Sequence, residues 1–244
     1  MGSSVRSISL PPNQRPENCL RFCRAFLKSS TSFFHEHFEI DSRVLILGDG
    51  DFSFSLCVAE YSHCNHMPGR VTVTSFESME SVLSIYPTGG SNLQRLQELN
   101  ITVEHNIDAA NLAESFQSAN LKQHGEKLFD LVIWNFPCVA ARNGADGQAT
   151  ELEENKLLLR KFFQNIHPFL SHDPAGGRFG TVHLTHKTIE PFSWWGIEDI
   201  AEDSGFRFHG AVVFDRLDVI LESKKRMLKI YMNVKSSFII HYVC

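Results

Sequence analysis

The sequence predicts an α/β fold of the Rossmann-like type, with a mostly parallel sheet and helices on both of its faces. Short apolar runs alternate along the middle of the chain with segments of helical periodicity, as in folds built from strand–helix–strand units. A glycine directly ends the first of these runs, where such folds turn tightly into a helix. The 244 residues are 43% hydrophobic and include 20 Phe, which is enough apolar bulk for a sizeable core.

Six apolar runs are the expected strands, and they cover residues 44–47, 71–76, 101–104, 131–134, 179–184 and 210–214. Helical patterns fall mostly between these runs, at residues 93–99, 109–121, 152–170 and 197–201. A β-prone stretch at 227–243, strongest at Phe238, Ile239 and Ile240, could add a last strand. The long interval between the first two runs predicts a surface insertion at residues 62–69.

Charge divides the chain into three parts. Of the net charge of −5, residues 1–40 contribute +2 and residues 222–244 contribute +4, which leaves −11 for residues 41–221. We expect an N-terminal extension with one amphipathic helix, a main domain at 41–221 and a basic tail that is divergent or forms a last strand. The acidic main domain argues against a protein that holds nucleic acid by bulk charge alone.

Composition also bounds the environment of the protein. No apolar run approaches the ~20 residues that a membrane span needs, so no membrane partner is expected. Without a secretory apolar segment, the 6 Cys are expected to be the reduced thiols of an intracellular protein. His63, Cys64 and His66 lack a second ligand pair at zinc spacing, so no metal site is predicted.

Ligands bind beyond the carboxyl ends of the strands in sheets of this kind, so the residues after each run are the candidate site. The first run is followed by Gly48, Asp49, Gly50, Asp51 and Phe52. Together with the next residue, a serine, they make half of the G-x-G-x-x-G dinucleotide pattern. That signal is weak, because an ordinary strand-to-helix turn has the same residues.

The acids of this turn favour a cationic ligand. A dinucleotide site must receive a pyrophosphate at a helix N-terminus, and carboxylates at Asp49 and Asp51 would repel that anion. S-adenosylmethionine (SAM) has no phosphate and carries a sulfonium and an ammonium, which carboxylates attract. The pattern therefore favours SAM over a nicotinamide dinucleotide, and a methyltransferase over an oxidoreductase.

Two further acids follow the second and third runs. Glu77 is placed to accept hydrogen bonds from ribose hydroxyls. Asp108 could hold an adenine amino group, or it could be the N-cap of the helical segment that begins at Ala109, and both roles are compatible.

Asn135, Phe136, Pro137 and Cys138 follow the fourth run and are the candidate catalytic residues. The Asn side chain can accept from an exocyclic amine or donate to a carbonyl oxygen. The Phe offers a face on which a base can stack, and the Pro stiffens the turn. Cys138 could instead be a nucleophile on pyrimidine C6, but no Lys or Arg before Arg142 adjoins it to lower the pKa of its thiol.

With these residues in view, the chain resembles the Bmt5-like rRNA methyltransferase family. The clearest signature is the stretch 48–55, which is similar to the family's G-E/D-G-D/N-F-S-F-S opening. The resemblance runs in matching order over roughly residues 43–214, through segments at 72–78, 86–93, 107–109, 129–137, 155–158, 162–163, 195–197 and 201–205.

The resemblance implies a class I, SAM-dependent methyltransferase that acts on N3 of a uridine in large-subunit rRNA. It implies rRNA as partner, ribosome-assembly factors as further partners, and the nucleolus or the cytoplasm as location. The chain departs from the family at Cys138, where the family usually has His, at Ala140, where it usually has Gly, and from residue 215 onward. These departures leave a second hypothesis open, a catalytically inactive methyltransferase fold that binds or assembles, and a small-molecule acceptor also remains open.

The substrate side is predicted from the chemistry of that reaction. N3 lies on the Watson–Crick edge, so the base must be unpaired or flipped out. We expect Asn135 to contact this edge, and Phe136 or Trp195 to stack on the base. Lys187, after the fifth run, is the candidate RNA contact, and Asp51 or Asp108 is the candidate base for the N3 proton. Three other cations are expected to lie on a solvated helix face, Lys156, Arg160 and Lys161.

Overall fold

The computed structural model describes residues 42–64, 70–118, 129–140, 151–173, 178–187, 190–213 and 237–243. Its main feature is a seven-stranded sheet. The strands in chain order are β1 (Val44–Leu47), β2 (Val71–Thr74), β3 (Thr102–Glu104), β4 (Leu131–Asn135), β5 (Thr181–Lys187), β6 (Arg207–Val213) and β7 (Ser237–Val243). A separate two-stranded ribbon pairs His172–Asp173 with Arg178–Phe179.

The strand order in the sheet is β3-β2-β1-β4-β5-β7-β6. The first five strands in this order are parallel, whereas β7 lies antiparallel between β5 and β6. The predicted α/β fold is confirmed. The β-prone stretch near the C-terminus supplies β7, which lies inside the same sheet as the main domain.

Six α-helices are described, and they pack on both faces of the sheet. They are α1 (Ser53–Cys64), α2 (Met79–Ile85), α3 (Gly89–Glu98), α4 (Leu112–Ser118), α5 (Leu152–Ile166) and α6 (Ile197–Asp203). Short 3-10 turns precede α4 at Ala109–Asn111, follow α5 at His167–Phe169 and precede α6 at Phe192–Trp195. Among these described helices, none is long and apolar enough to cross a membrane.

The core has two halves because successive side chains of a strand point to opposite faces. In β1, Leu45 and Leu47 pack with α4, α5 and α6, whereas Val44 and Ile46 pack with α1, α2 and α3. All four residues are buried, which explains why this strand is an unbroken apolar run in the sequence.

An ion pair closes the amino end of the sheet, opposite the candidate site. Asp130 accepts hydrogen bonds from the backbone N–H, Nε and Nη2 of Arg43 at 2.8, 3.1 and 3.1 Å. Burial by itself would raise the pKa of Asp130, but these hydrogen bonds lower it below its ordinary value. The pair therefore ties the start of β1 to the start of β4.

Some predictions fall on residues outside the described ranges. They are the amphipathic stripe of the N-terminal extension, most of the expected insertion at 62–69, and the basic residues just after position 222. The first part of that insertion is helical, because α1 continues through Cys64.

Candidate functional site

The loop after β1 is shaped by close packing and by left-handed backbone. Gly48 has φ +63°, and a Cβ there would lie 3.2 Å from Nε1 of Trp134. Phe52 has φ +61° and is fully buried. A non-glycine residue in this region is uncommon and indicates a backbone held by its surroundings. The loop therefore has a fixed path from the strand into α1.

Asp49 anchors the start of α1. Its Oδ2 accepts hydrogen bonds from the backbone N–H of Ser55 at 2.7 Å and from the Ser55 hydroxyl at 2.5 Å. Burial raises the pKa of the Asp49 carboxyl to about 6, although the hydrogen bonds from Ser55 act in the opposite direction. The carboxylate is thus a partly desolvated negative charge that a bound cation would stabilise.

Asp51 ties the same loop to the chain between α2 and α3. Its side chain accepts from the backbone N–H of Ser53 at 3.0 Å and from the hydroxyl of Thr88 at 3.2 Å. Its backbone carbonyl accepts from Nδ2 of Asn92 at 2.8 Å. The glycine loop and the α2–α3 connection therefore form one wall of the site.

Glu77 lies beyond β2 and accepts hydrogen bonds from the hydroxyl of Ser75 at 3.0 Å and from the phenol of Tyr86 at 3.4 Å. Burial raises the pKa of Tyr86, and Glu77, Asp51 and Asp49 raise it further. The same phenol covers Gly50, where a Cβ would come within 2.5 Å of its oxygen. The carboxylates of Glu77, Asp51 and Asp49 therefore all act electrostatically on the phenol of Tyr86, which lies directly over the backbone of Gly50.

Asp108 is the N-cap of the 3-10 turn after β3, because its Oδ1 accepts from the backbone N–H of Ala110 at 2.8 Å. The capping role expected from the sequence is confirmed, and the adenine role stays a prediction.

The end of β4 carries the second half of the site. The Oδ1 of Asn135 accepts from the hydroxyl of Thr185 at 2.6 Å. Phe136 has φ +51°, donates its backbone N–H to the carbonyl of Thr185 at 2.9 Å, and leaves 38% of its surface exposed. Pro137 is buried and Cys138 is exposed. The next residues are held by Asn155 of α5, a fully buried side chain whose Oδ1 accepts from the N–H of Val139 at 2.8 Å.

The segment after β5 corrects one prediction. Trp195 is only 1% exposed and packs in the core against His186, so its face is not available for a base. The neighbouring Trp194 is 50% exposed instead. Lys187 lies with its ammonium 4.2 Å from the ring centroid of Phe192, a cation–π contact that fixes its direction.

One of the cations predicted to lie on a solvated helix face has a visible partner. Lys156 pairs with Glu153 at 3.2 Å on α5, which agrees with the solvated helix face expected there. Within the described parts of the chain, no group of three His, Cys, Asp or Glu side chains could hold a metal ion.

The register of the sheet brings the two halves together. Leu47 pairs with Trp134 across β1 and β4, so the loop at Gly48 and the side chain of Asn135 start from the same edge at the same level. The carboxylates of Asp49, Asp51 and Glu77 beside this glycine loop fit SAM, a cation without phosphate. The fold and the site define a class I, SAM-dependent methyltransferase.

Comparisons with known proteins identify the family. Residues 45–220 match the BMT5-like family, described as rRNA (uridine-N3-)-methyltransferase BTM5-like. The chain belongs to this family. An uncharacterised protein of Arabidopsis thaliana is 30% identical, and the match covers 70% of this chain and 75% of that protein. The 25S rRNA (uridine(2634)-N(3))-methyltransferase of Saccharomyces cerevisiae is 30% identical over 52% of this chain and 41% of its own length.

Two further comparisons bear on coverage and fold. The heavy metal-associated isoprenylated plant protein 41 of Arabidopsis thaliana is 29% identical, but the match covers only 29% of that protein. The chain thus spans less than half of two of these three curated relatives. The crystal structure of a 16S rRNA (adenine(1408)-N(1))-methyltransferase from Catenulisporales acidiphilia has a similar fold, with a TM-score of 0.50, 10% identity and 93% of each chain covered.

Sequence reasoning placed the acids and the residues after β4 at the correct edge but missed their supports. Five supporting residues were not singled out for a role: Tyr86, Thr88, Asn92, Asn155 and Thr185. All of them except Thr185 lie in segments that carry the family resemblance, which was the available signal. No sequence pattern indicates the contact between Thr185 and the end of β4, because it arises from strand pairing.

Proposed function

We propose that this chain transfers the methyl group of SAM to N3 of a uridine in large-subunit rRNA. One observation carries the proposal. The carboxylate-lined glycine loop after β1 and the exposed Phe136 after β4 lie at the same edge of neighbouring strands. A cofactor on the first and a base stacked on the second would put a methyl donor beside a flipped nucleotide.

The cofactor half supplies charge and hydrogen-bond acceptors. When bound, SAM supplies an electrophilic methyl on its sulfonium. Asp49 and Asp51 stabilise the positive charges of the methionine end, and Glu77 accepts hydrogen bonds from ribose hydroxyls. Asp108 keeps its second carboxylate oxygen for the adenine amine, since the first one caps the 3-10 turn.

The base half orients the acceptor. Phe136 stacks on the uracil ring, and the left-handed backbone at this residue directs its side chain outward. Asn135 contacts the Watson–Crick edge. Methyl transfer would break the bond between the sulfonium and its methyl, form a bond from the methyl to N3, and require the N3 proton to leave. Both Asp51 oxygens already accept from Ser53 and Thr88, so we assign the proton to solvent and the rate mainly to alignment.

The test is methylation of large-subunit rRNA by the purified chain with SAM, followed by mass spectrometry of the nucleosides. We expect 3-methyluridine, and Phe136→Ala should reduce the rate of its formation ~5- to 150-fold if stacking contributes ~1–3 kcal/mol. Phe179→Ala is the matched control, because Phe179 is 40% exposed but lies on the ribbon. Saturable SAM binding without any methylated nucleoside would refute the proposal and favour the catalytically inactive alternative.

A further inference from the structure

A threonine beside the proposed substrate residue fixes which way its amide faces. Asn135 and Thr185 are register partners across β4 and β5. Thr185 is 1% exposed, and its hydroxyl lies 2.6 Å from Oδ1 of Asn135. Its backbone carbonyl also accepts from the N–H of Phe136 at 2.9 Å. Thr185 therefore contacts both residues that the proposed function assigns to the base, from a position no base can reach.

The distance identifies the atoms that face each other. Oxygen–oxygen hydrogen bonds centre near 2.7–2.8 Å, whereas an amide N–H to oxygen bond centres near 2.9–3.0 Å. A contact of 2.6 Å therefore fits a threonine hydroxyl that donates to the side-chain carbonyl of Asn135, and not an amide N–H₂ that donates to the hydroxyl. The side-chain oxygen of Asn135 thus faces Thr185, and its N–H₂ has no partner among the residues that the structure describes.

Because the oxygen of Asn135 faces the buried Thr185, the group that this amide turns toward a ligand is its N–H₂ donor. Uridine presents a carbonyl oxygen at C4, next to N3, which can accept from this N–H₂. Cytidine presents an amino group at the same position, so that donor would face donor. A polar site that hydrogen-bonds one substrate discriminates strongly against an analogue that leaves its groups unpaired.

We propose that Thr185 is a specificity-determining residue, which fixes the Asn135 amide so that its N–H₂ recognises the C4 carbonyl of uridine and rejects cytidine. This inference rests on the proposed function. It assigns Thr185 a positioning role, since its hydroxyl acts on the base only through Asn135.

The experiment uses two RNAs of identical sequence that differ only in a uridine or a cytidine at the target position. Products are 3-methyluridine and 3-methylcytidine, measured by mass spectrometry. The variants are Thr185→Val, which keeps the branched shape and removes the hydroxyl, and Thr185→Ser, which keeps the hydroxyl. We expect Thr185→Val to lower kcat/KM for the uridine RNA and to narrow the uridine-to-cytidine ratio at least ~10-fold, the size of one lost discriminating hydrogen bond. Thr185→Ser should retain the wild-type ratio.

SAM affinity, measured by calorimetry, should be unchanged in both variants, which separates a specificity effect from a folding defect. Asn135→Asp gives a second test, because its carboxylate can accept from the hydroxyl of Thr185 and present only acceptors to the base. It should shift the preference toward cytidine.

Unchanged uridine-to-cytidine ratios in Thr185→Val and Asn135→Asp, whatever their rates, would overturn this inference and leave the proposed function standing. A wild-type chain that binds SAM and methylates neither RNA would overturn both.

Discussion

The charge on Asp49 should destabilise the cofactor-free protein. Its carboxyl has a pKa of about 6 in the fold against an ordinary 3.8, chiefly because of burial. The difference corresponds to a cost on the order of 3 kcal/mol for the ionised form, at 1.36 kcal/mol per pKa unit. Asp49→Asn removes that charge and keeps a carbonyl oxygen for the two hydrogen bonds from Ser55, both of which go to a single carboxylate oxygen.

The pH dependence has a definite sign. Because the folded pKa is raised, the stability linked to this carboxyl is complete below pH ~4 and is lost as the pH rises through about 6. Lowering the pH from 8 to 5 should therefore stabilise the wild type by about 1 kcal/mol through Asp49 alone. Asp49→Asn has no carboxyl to protonate at this position and cannot gain stability in this way. The difference in unfolding free energy between Asp49→Asn and the wild type should therefore shrink by the same amount between pH 8 and pH 5.

The assay is urea unfolding of the wild type and Asp49→Asn at pH 8 and pH 5, without cofactor. Other titrating groups cancel in the difference between the two proteins, provided that they are distant from Asp49. At pH 8, Asp49→Asn should be more stable than the wild type by less than about 3 kcal/mol. The reason is that the amide N–H₂ takes the place of a carboxylate oxygen near the N–H of Phe52. If the two proteins differed in unfolding free energy by the same amount at pH 8 and pH 5, burial could not be raising the pKa of Asp49.

The Asp49 carboxylate, which should destabilise the cofactor-free protein, should strengthen the binding of the cationic cofactor. A cation within about 10 Å of a carboxylate gains roughly 2 kcal/mol at an effective dielectric constant of 20. Asp49→Asn should therefore weaken SAM binding by at least ~10-fold at pH 8 while it stabilises the empty fold. In the wild type, SAM affinity should fall as the pH drops through about 6, and calorimetry on the variant should find a weaker dependence.

Three further substitutions test the supports of the site and of the sheet. Gly50→Ala puts a Cβ 2.5 Å from the phenol oxygen of Tyr86, so the ring must shift into the space proposed for the cofactor. Calorimetry should therefore find SAM binding weakened by at least ~10-fold, and unchanged affinity would contradict this prediction. Asn155→Leu leaves the N–H of Val139 without its acceptor, so RNA methylation should fall, SAM affinity should stay constant, and urea unfolding should report about 1 kcal/mol lower stability. Asp130→Asn should cost up to ~1 kcal/mol at pH 7, given the partial exposure of its ion pair. Because the pKa of Asp130 is lowered in the fold, this cost should begin to shrink only below pH ~4 and disappear as the pH falls through the lowered pKa of the wild-type carboxyl.

The sequence predicted best the elements that local residue character alone reveals. Strands buried on both faces are continuous apolar runs, so β1 was predicted with its observed bounds and β4 to within one residue. Residues that follow parallel strands lie at one edge of the sheet, so Asp49, Glu77 and Asn135 were predicted to lie near one another.

The sequence did not predict features that depend on residues far apart along the chain but close in space. Trp194 and Trp195 are adjacent aromatic residues in a 3-10 turn, and the core packing alone determines that the second is buried. The β5 strand was expected to end at residue 184 but continues to Lys187, because polar residues there pair with β7, a strand far away along the chain. Thr185 lies in that extension, so its contact with Asn135 could not be anticipated.

The acidic charge of the main domain restricts how an RNA substrate can approach. The carboxylates beside the β1 and β2 loops would repel backbone phosphates as strongly as they attract a sulfonium. A nucleotide that enters over β4 and β5 meets the exposed Phe136 first, and Lys187 lies on that side of the sheet. We therefore expect the base to point toward the acids and its phosphates to stay on the β5 side, the orientation of a flipped nucleotide. Methylation should then weaken with rising salt less steeply than for a protein with a broad basic groove, because few phosphates are neutralised.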